Sequence, residues 1–363
     1  MGSRPTIRWG IISAGMISSW FVSDLVLDRP DAPVEHQVAA IGCRSLEQGK
    51  GFVKEYCPGR GVKVYGSYAE VYADAEVDIV YIGTPHGLHK QNCLDAIAAG
   101  KNILCEKSFT LNARDAKEVI EAARTKGVYL QEAMWLRHRP VVLELLRLVH
   151  EEKIIGEVFR AWSDFGLNID VKSLPSGHKA RDLNLGAGSL LDIGVYPLTW
   201  MILTLDPRGP ADSEKPKIMA VQSHVEGVEV TTSMLLQYGS TGRQGVATTS
   251  LQASHDPSMV ARIQGTEGFI EVGGPCPSDP HSFTVFPKST DEPGGRPQKQ
   301  PGQKYDFPVI GKNYVHIQDN TAKDVLDGKK ESLIMPWAET VRVMEYMDEV
   351  RRQGGSMFPA DNE

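Results

Sequence analysis

The chain reads as an α/β protein in two parts: a parallel sheet interleaved with helices at the amino end, then an α+β part built on an open, predominantly antiparallel mixed sheet. Three observations carry this reading. Short apolar runs alternate with helix-length amphipathic stretches up to about residue 135, the rhythm changes after Pro140, and extended segments dominate from Lys217 to Val272. At roughly 150 residues per domain, 363 residues suggest two substantial domains, with boundaries expected at 1–136 and 137–363.

In the first part the apolar runs predict strands over 7–13, 38–43, 79–83, 102–105 and 128–131. Between them, Ala, Ile, Val and Leu at three- and four-residue spacing predict helices over 17–27, 46–56, 87–99 and 113–125. Strands that alternate with helices imply parallel pairing through helical crossovers, which places all strand ends on one edge and makes that edge the expected ligand crevice.

The second part opens with a helix over 141–150 that ends near Gly156, and a strand over 158–165 follows. Beyond a loop rich in Gly, Pro and charge, a helix begins around 188–192. Pro197 falls inside it and lacks a backbone donor, so either the helix kinks there or an earlier turn hands over to a new helix. Extended segments are expected over 218–224, 230–238, 244–253 and 259–264, and glycine-bearing turns at 239–242 and 265–268 suggest antiparallel neighbours. Residues 273–303 read as surface loop, with an edge strand at 281–286, before helices over 315–326 and 338–353.

Composition narrows the function classes. Hydrophobic residues at 41% and charged residues at 23% are ordinary globular values. Thirty-nine Lys plus Arg against 46 Asp plus Glu give a net charge of -7 with no basic stripe, so no nucleic-acid partner is expected. The five cysteines are widely spaced, which favours a reducing compartment over a disulfide framework. With no apolar run near the ~20 residues that span a bilayer and no signal-like apolar block, no membrane partner is expected and the cytoplasm is the expected location.

Residues 10–18 read Gly-Ile-Ile-Ser-Ala-Gly-Met-Ile-Ser between a predicted strand and a predicted helix. Aligned with G-x-G-x-x-G, the three glycine positions hold Ser13, Gly15 and Ser18, so only the glycine that approaches the pyrophosphate is retained; Met16 and Ile17 follow at the helix start. The second strand ends in Gly42-Cys43-Arg44-Ser45, where an NAD site often presents a carboxylate. A guanidinium and a hydroxyl suit a 2′-phosphate, so NADP is the expected cofactor. Thr84-Pro85-His86-Gly87-Leu88-His89 follows a further strand. His86 and His89 alone do not make a metal site, and one is expected to line the nicotinamide pocket while the other makes a helix-terminal hydrogen bond.

Glu106 and Lys107 lie just beyond the 102–105 strand, at the expected cofactor edge. A lysine there can donate to a reacting oxygen and ease loss of its proton. In Leu191-Asp192-Ile193-Gly194-Val195-Tyr196-Pro197, helical spacing puts Asp192 and Tyr196 on one side. A phenol with a free pKa of ~10 is a poor base at neutral pH, and a nearby ammonium would favour its phenolate.

These ordered motifs, with Trp9-Gly10-Ile11-Ile12, Glu132-Ala133-Met134-Trp135 and Pro336-Trp337, resemble the Gfo/Idh/MocA family over nearly the whole chain. The resemblance implies an N-terminal Rossmann dinucleotide-binding domain, a second domain that binds substrate, and a homodimer formed through its open sheet. It implies Lys107 and Tyr196 as catalytic residues, with Asp192 as their substrate-positioning or proton-transfer partner; Ser108 replaces the family's usual proline. Trp135 and Arg137 match a segment that looks towards the pocket in related enzymes, and Phe165 and His178 are further pocket candidates.

The function these readings imply is NADP-dependent hydride transfer at a carbinol carbon of a sugar or vicinal diol, foremost as a D-xylose 1-dehydrogenase. The alternatives are a trans-dihydrodiol dehydrogenase, a glucose or disaccharide oxidoreductase, and a non-catalytic dinucleotide sensor. No metal is required, because the phenol, the lysine and the cofactor supply the proton and hydride routes.

Overall fold

A computed structural model describes residues 4–289 and 299–362, and the structural statements below concern those residues. The chain forms two compact units, 1–138 with 309–344 and 139–308 with 345–363.

In the first unit the elements run β1 (Thr6–Ile12), α1 (Met16–Leu25), β2 (Glu35–Gly42), α2 (Leu46–Tyr56), β3 (Lys63–Tyr65), α3 (Tyr68–Ala73), β4 (Ile79–Ile82), α4 (His89–Ala98), β5 (Asn102–Cys105), α5 (Ala113–Lys126) and β6 (Leu130–Glu132). The strands form a parallel sheet in the order β3-β2-β1-β4-β5-β6. All four residues of β4 are buried, as a strand covered on both faces requires. The helix starts follow local capping: Ser45 accepts the Gln48 N–H and Asn112 accepts that of Asp115, while Gly127 at φ +72° ends α5.

The expected boundary at 136, with everything beyond it in one domain, does not match this division. Residues 309–344, which include α8 (Val315–Leu326), return to the first unit because its core contains their partners. The Asp24 carboxylate accepts the backbone N–H of Lys312 and of Tyr314, both at 2.7 Å. Asp319 takes a two-bond contact from Arg29 at 2.7 Å and a third from His36 at 2.9 Å. The Trp337 indole donates to the Leu130 carbonyl at 2.8 Å.

The second unit contains α6 (Pro140–Leu146), β7 (Val158–Gly166), α7 (Val195–Leu205), β8 (Lys217–Val225), β9 (Val228–Gln237), β10 (Gln244–Ser250), β11 (Ala261–Gly265), β12 (Gly268–Gly273), β13 (Ser282–Pro287) and β14 (Gln303–Asp306). Its sheet runs β14-β13-β12-β11-β7-β10-β9-β8, with β7 and β10 parallel and the other neighbours antiparallel. Both glycine-bearing turns join antiparallel pairs, as their composition suggests. The strand expected at an edge, β13, is covered by β14; residues 290–298 of the expected loop lie outside the described residues. α9 (Trp337–Gly354) crosses from the first unit into the second.

A wide turn over Leu190–Gly194 leads into α7, so Pro197 lies in the first turn of the new helix, where a missing donor costs little. The helical stretch Leu183–Leu205 is long and apolar enough to cross a membrane, beyond what the short apolar runs suggested, but 89% of it is buried within the structure. Gly194 lets this stretch approach the sheet: a Cβ there would meet Thr249 Cγ2 at 2.9 Å.

Candidate active site

Because the first sheet is parallel, the carboxyl ends of β1, β2, β4 and β5 share one edge, and the residues expected at the cofactor site follow those ends. Ser13 adopts φ +87°, the left-handed conformation that a glycine would take at the first fingerprint position, and donates its N–H to the Gly42 carbonyl at 3.0 Å. Gly15 caps α1 without a side-chain bond, and a Cβ there would meet only Ser13 Oγ at 3.5 Å. With no acid in the first turn, the amide end beside Met16 and Ile17 fits a pyrophosphate. At the third position Ser18 packs against Gly83, where a Cβ would lie 2.4 Å from Ser18 Oγ. The close helix-to-strand approach is thus provided by the glycine that follows β4 instead of one on α1.

Arg44 is exposed beyond β2, and among the described residues it makes no hydrogen bond or ion pair. Ser45 caps α2, its oxygen accepting the Gln48 N–H at 3.3 Å. The Thr84 hydroxyl accepts from Asn92 at 3.2 Å. His89 does not face a cofactor: it is fully buried, with Nε2 2.7 Å from the Thr84 carbonyl and Nδ1 3.0 Å from that of Ser108. Burial lowers its pKa to about 4 against the pull of these carbonyls. It ties the β4 loop to the β5 loop and leaves the partly exposed His86 as the histidine of the pair able to meet a ligand.

Glu106 is buried and accepts the Tyr81 hydroxyl at 2.6 Å and the Lys107 N–H at 3.3 Å, so it holds the loop that presents half-buried Lys107. Behind that loop, Glu132 accepts the Phe109 N–H at 3.2 Å. Two expected pocket residues serve the core of this unit. Trp135 stacks on Tyr314, with centroids 4.8 Å apart and planes 2° from parallel. Arg137 is buried in an ion pair with Glu339, which also binds Arg342, and burial lowers its pKa. Its guanidinium is committed to that cluster and not to a substrate.

In the second unit Asp192 and Tyr196 sit on successive turns of one helical stretch, Asp192 partly exposed and Tyr196 buried. The Phe165 ring on β7 lies 5.9 Å from that of Tyr196, and His255 packs edge-on against Phe165 at 5.2 Å. His178 is exposed in a turn; its Nδ1 accepts the Ala180 N–H at 3.2 Å, which leaves Nε2 as the protonated nitrogen. Its neighbour Lys179 reaches Asp192, with Nζ 3.8 Å from Oδ1.

The sequence reading omitted Lys179, His255 and Glu229. Buried Glu229 accepts the Ser189 hydroxyl at 2.5 Å, the Leu190 N–H at 2.8 Å and the Thr232 hydroxyl at 2.7 Å, thereby closing the amino end of the stretch that carries Asp192 and Tyr196. Its signal was present in Val228-Glu229-Val230, a lone carboxylate inside an apolar strand.

A glycine-lined helix end at the edge of a parallel sheet, served by a lysine at the end of a strand two places along, defines a nicotinamide-dependent oxidoreductase. Residues 7–134 match the oxidoreductase family with an NAD-binding Rossmann fold, and residues 143–271 match the GFO/IDH/MocA C-terminal domain. The chain belongs to the Gfo/Idh/MocA family. It is 34% identical to D-xylose 1-dehydrogenase (NADP(+)) of Hypocrea jecorina, over 99% of this chain and 94% of that protein. It is 35% identical to trans-1,2-dihydrobenzene-1,2-diol dehydrogenase of Bos taurus, over 98% of this chain and 99% of that one. Its fold is similar to that of a 3-ketoreductase from Actinomadura kijaniata, with a TM-score of 0.77 and 23% identity over 97% of this chain and 98% of the other.

Proposed function

We propose that the protein oxidises the anomeric carbinol of an aldose, D-xylose foremost, to the lactone with NADP as hydride acceptor. The observation that carries this reading is the pairing of Asp192 and Tyr196 on successive turns, with the Phe165 ring beside Tyr196. A bound nicotinamide supplies the acceptor for the hydride that leaves the carbinol carbon. Tyr196 Oη takes the hydroxyl proton as the C–O bond gains double-bond character. Asp192 accepts a hydrogen bond from the neighbouring hydroxyl and fixes the ring. Lys107 donates to the reacting oxygen and eases the loss of its proton. Arg44 and Ser45 hold the 2′-phosphate.

A second reading, oxidation of a trans-dihydrodiol, draws on Phe165, whose apolar face suits an arene ring as well as the flat side of a pyranose. Pentose and hexose differ by one CH₂OH, a distinction that rests on a few wall contacts. A panel of D-xylose, D-glucose, a disaccharide and trans-dihydrobenzenediol, each with NADP and with NAD, tests both readings through the absorbance of the reduced nicotinamide. Turnover of the dihydrodiol alone would reject the aldose reading, and no turnover of any substrate would favour a dinucleotide sensor.

The same proposal includes a cytoplasmic homodimer formed through the second sheet. On its outward side Trp162, Leu235, Val246, Phe269 and Phe286 are partly exposed, and Val221 is 70% exposed, an apolar surface suited to a second copy.

A further inference from the structure

The carboxyl end of α7 borders a half-open cavity of about 290 Å³ in the second unit, where β7 begins and the β9–β10 turn folds back. Two of the last α7 carbonyls are taken up by basic side chains that line it. His150 Nε2 donates to Leu203 at 2.8 Å, and Arg243 Nη1 donates to Leu205 at 3.0 Å. Cations are favoured at such a helix end, so these contacts account for His150 and for part of Arg243.

They do not account for Lys153 and Arg208, which line the same cavity. Among the described residues Arg208 spends only its Nε, on Asp206 at 2.7 Å, and Lys153 pairs with Glu157 at 2.6 Å. Arg243 Nη2 reaches that same Glu157 at 3.3 Å, so one lining carboxylate is shared by two cations. Burial lowers the pKa of His150 and leaves it neutral. With Asp206 buried beside Arg208, three cations face two carboxylates, a local positive excess in a chain whose net charge is -7. A guanidinium carries five N–H donors and an ammonium three, so most of this donor capacity is unspent. Val149, Val158 and Pro207 make the rest of the wall apolar.

We infer that this cavity is an oxyanion site that takes the phosphate group of a small phosphate ester, held by Lys153, Arg208 and Arg243, with the ester's carbon skeleton against the apolar wall. A dianionic phosphate accepts charge-assisted hydrogen bonds from several cations at once. Tyr196 lies near the opposite end of α7, roughly 14 Å away at 1.5 Å per residue, so binding here does not depend on the aldose reading.

The test is competitive acetylation of the full-length protein at fixed ionic strength, read by peptide mass spectrometry, with inorganic phosphate and with glycerol 3-phosphate. Lys304 is the internal reference, because it is as exposed as Lys153, at 60%, and pairs with Asp306 at 2.7 Å. Both anions are expected to slow acetylation of Lys153 by about fivefold near saturation and to leave Lys304 unchanged, the ester acting at lower concentration. Arg208→Gln is expected to abolish the protection. Glu157→Gln, which removes the one acid from the lining, is expected to lower the half-protecting concentration several-fold, a gain that a misfolded variant cannot produce. Equal slowing of the two lysines, no slowing of Lys153, protection unchanged in Arg208→Gln, or protection weakened in Glu157→Gln would each overturn the site.

Discussion

Glu229 accepts the backbone N–H of Leu190 at 2.8 Å, and through this bond a residue on β9 holds the start of the helical stretch that carries Asp192 and Tyr196. Glu229→Ala leaves three buried donors without their acceptor and is expected to cost about 2–3 kcal/mol of stability. Glu229→Gln keeps an acceptor and should lose less. Thermal unfolding of both variants checks the order, and the Ala variant should also lose kcat as the Tyr196 turn loosens.

Tyr196→Phe removes one oxygen and keeps the ring packing, so fold and NADP binding should survive while turnover falls by ~10²-fold or more. Lys107→Met should also cripple turnover, and the double variant should lose less than the product of the two, because both serve one proton transfer. Near-normal turnover in a folded, cofactor-binding Tyr196→Phe would move the search for the base to Asp192.

Arg44→Ala is expected to weaken NADP binding by about 1.5–3 kcal/mol and to leave NAD nearly unchanged. Equal losses in a fluorescence titration with the two reduced cofactors would reject the 2′-phosphate contact.

Burial raises the pKa of Glu132 to about 7 from its ordinary 4.5. Folded and unfolded chains are both protonated well below 4.5; between 4.5 and 7 only the folded chain keeps the proton. This group's contribution therefore falls as pH rises across that window, and the penalty is complete above 7. Glu132→Gln should flatten this part of the stability curve and make the protein more stable than wild type at pH 8, by an amount of order 1–3 kcal/mol. Parallel denaturant curves from pH 5 to pH 8 for the two proteins would refute it.

The homodimer is checked by sedimentation at micromolar concentrations. A fully active monomer would defeat the proposal, and Val221→Lys on the outward face should shift the equilibrium towards monomer if it holds.

Parallel and antiparallel architecture was legible because periodicity reports which faces are buried, and β5 and α2 fall where that pattern puts them. β3 and α3 were missed because they are short: three and six residues carry too little periodicity, although the Ser67-x-x-Glu70 capping box marks the helix start. The placement of Asp192 and Tyr196 on one helical stretch was legible from their four-residue spacing, while their roles were implied by the family resemblance. Arg137 and His89 were misjudged for one shared reason: a polar side chain beside a motif looks alike in sequence whether it faces a ligand or a buried partner. The partner of Arg137, Glu339, lies some 200 residues away, and His89 is satisfied by backbone carbonyls that no residue pattern displays.

The return of 309–344 bears on how the chain comes to be folded during synthesis. Domains generally fold as they emerge, amino end first. Here the first unit lacks its stacking partner for Trp135 until Tyr314 is made, and its acceptor for Arg29 and His36 until Asp319 is made. A ribosome must therefore polymerise most of the second unit before the nucleotide-binding unit can close, and a gene fragment ending at residue 138 should yield an aggregation-prone product instead of an autonomous Rossmann domain.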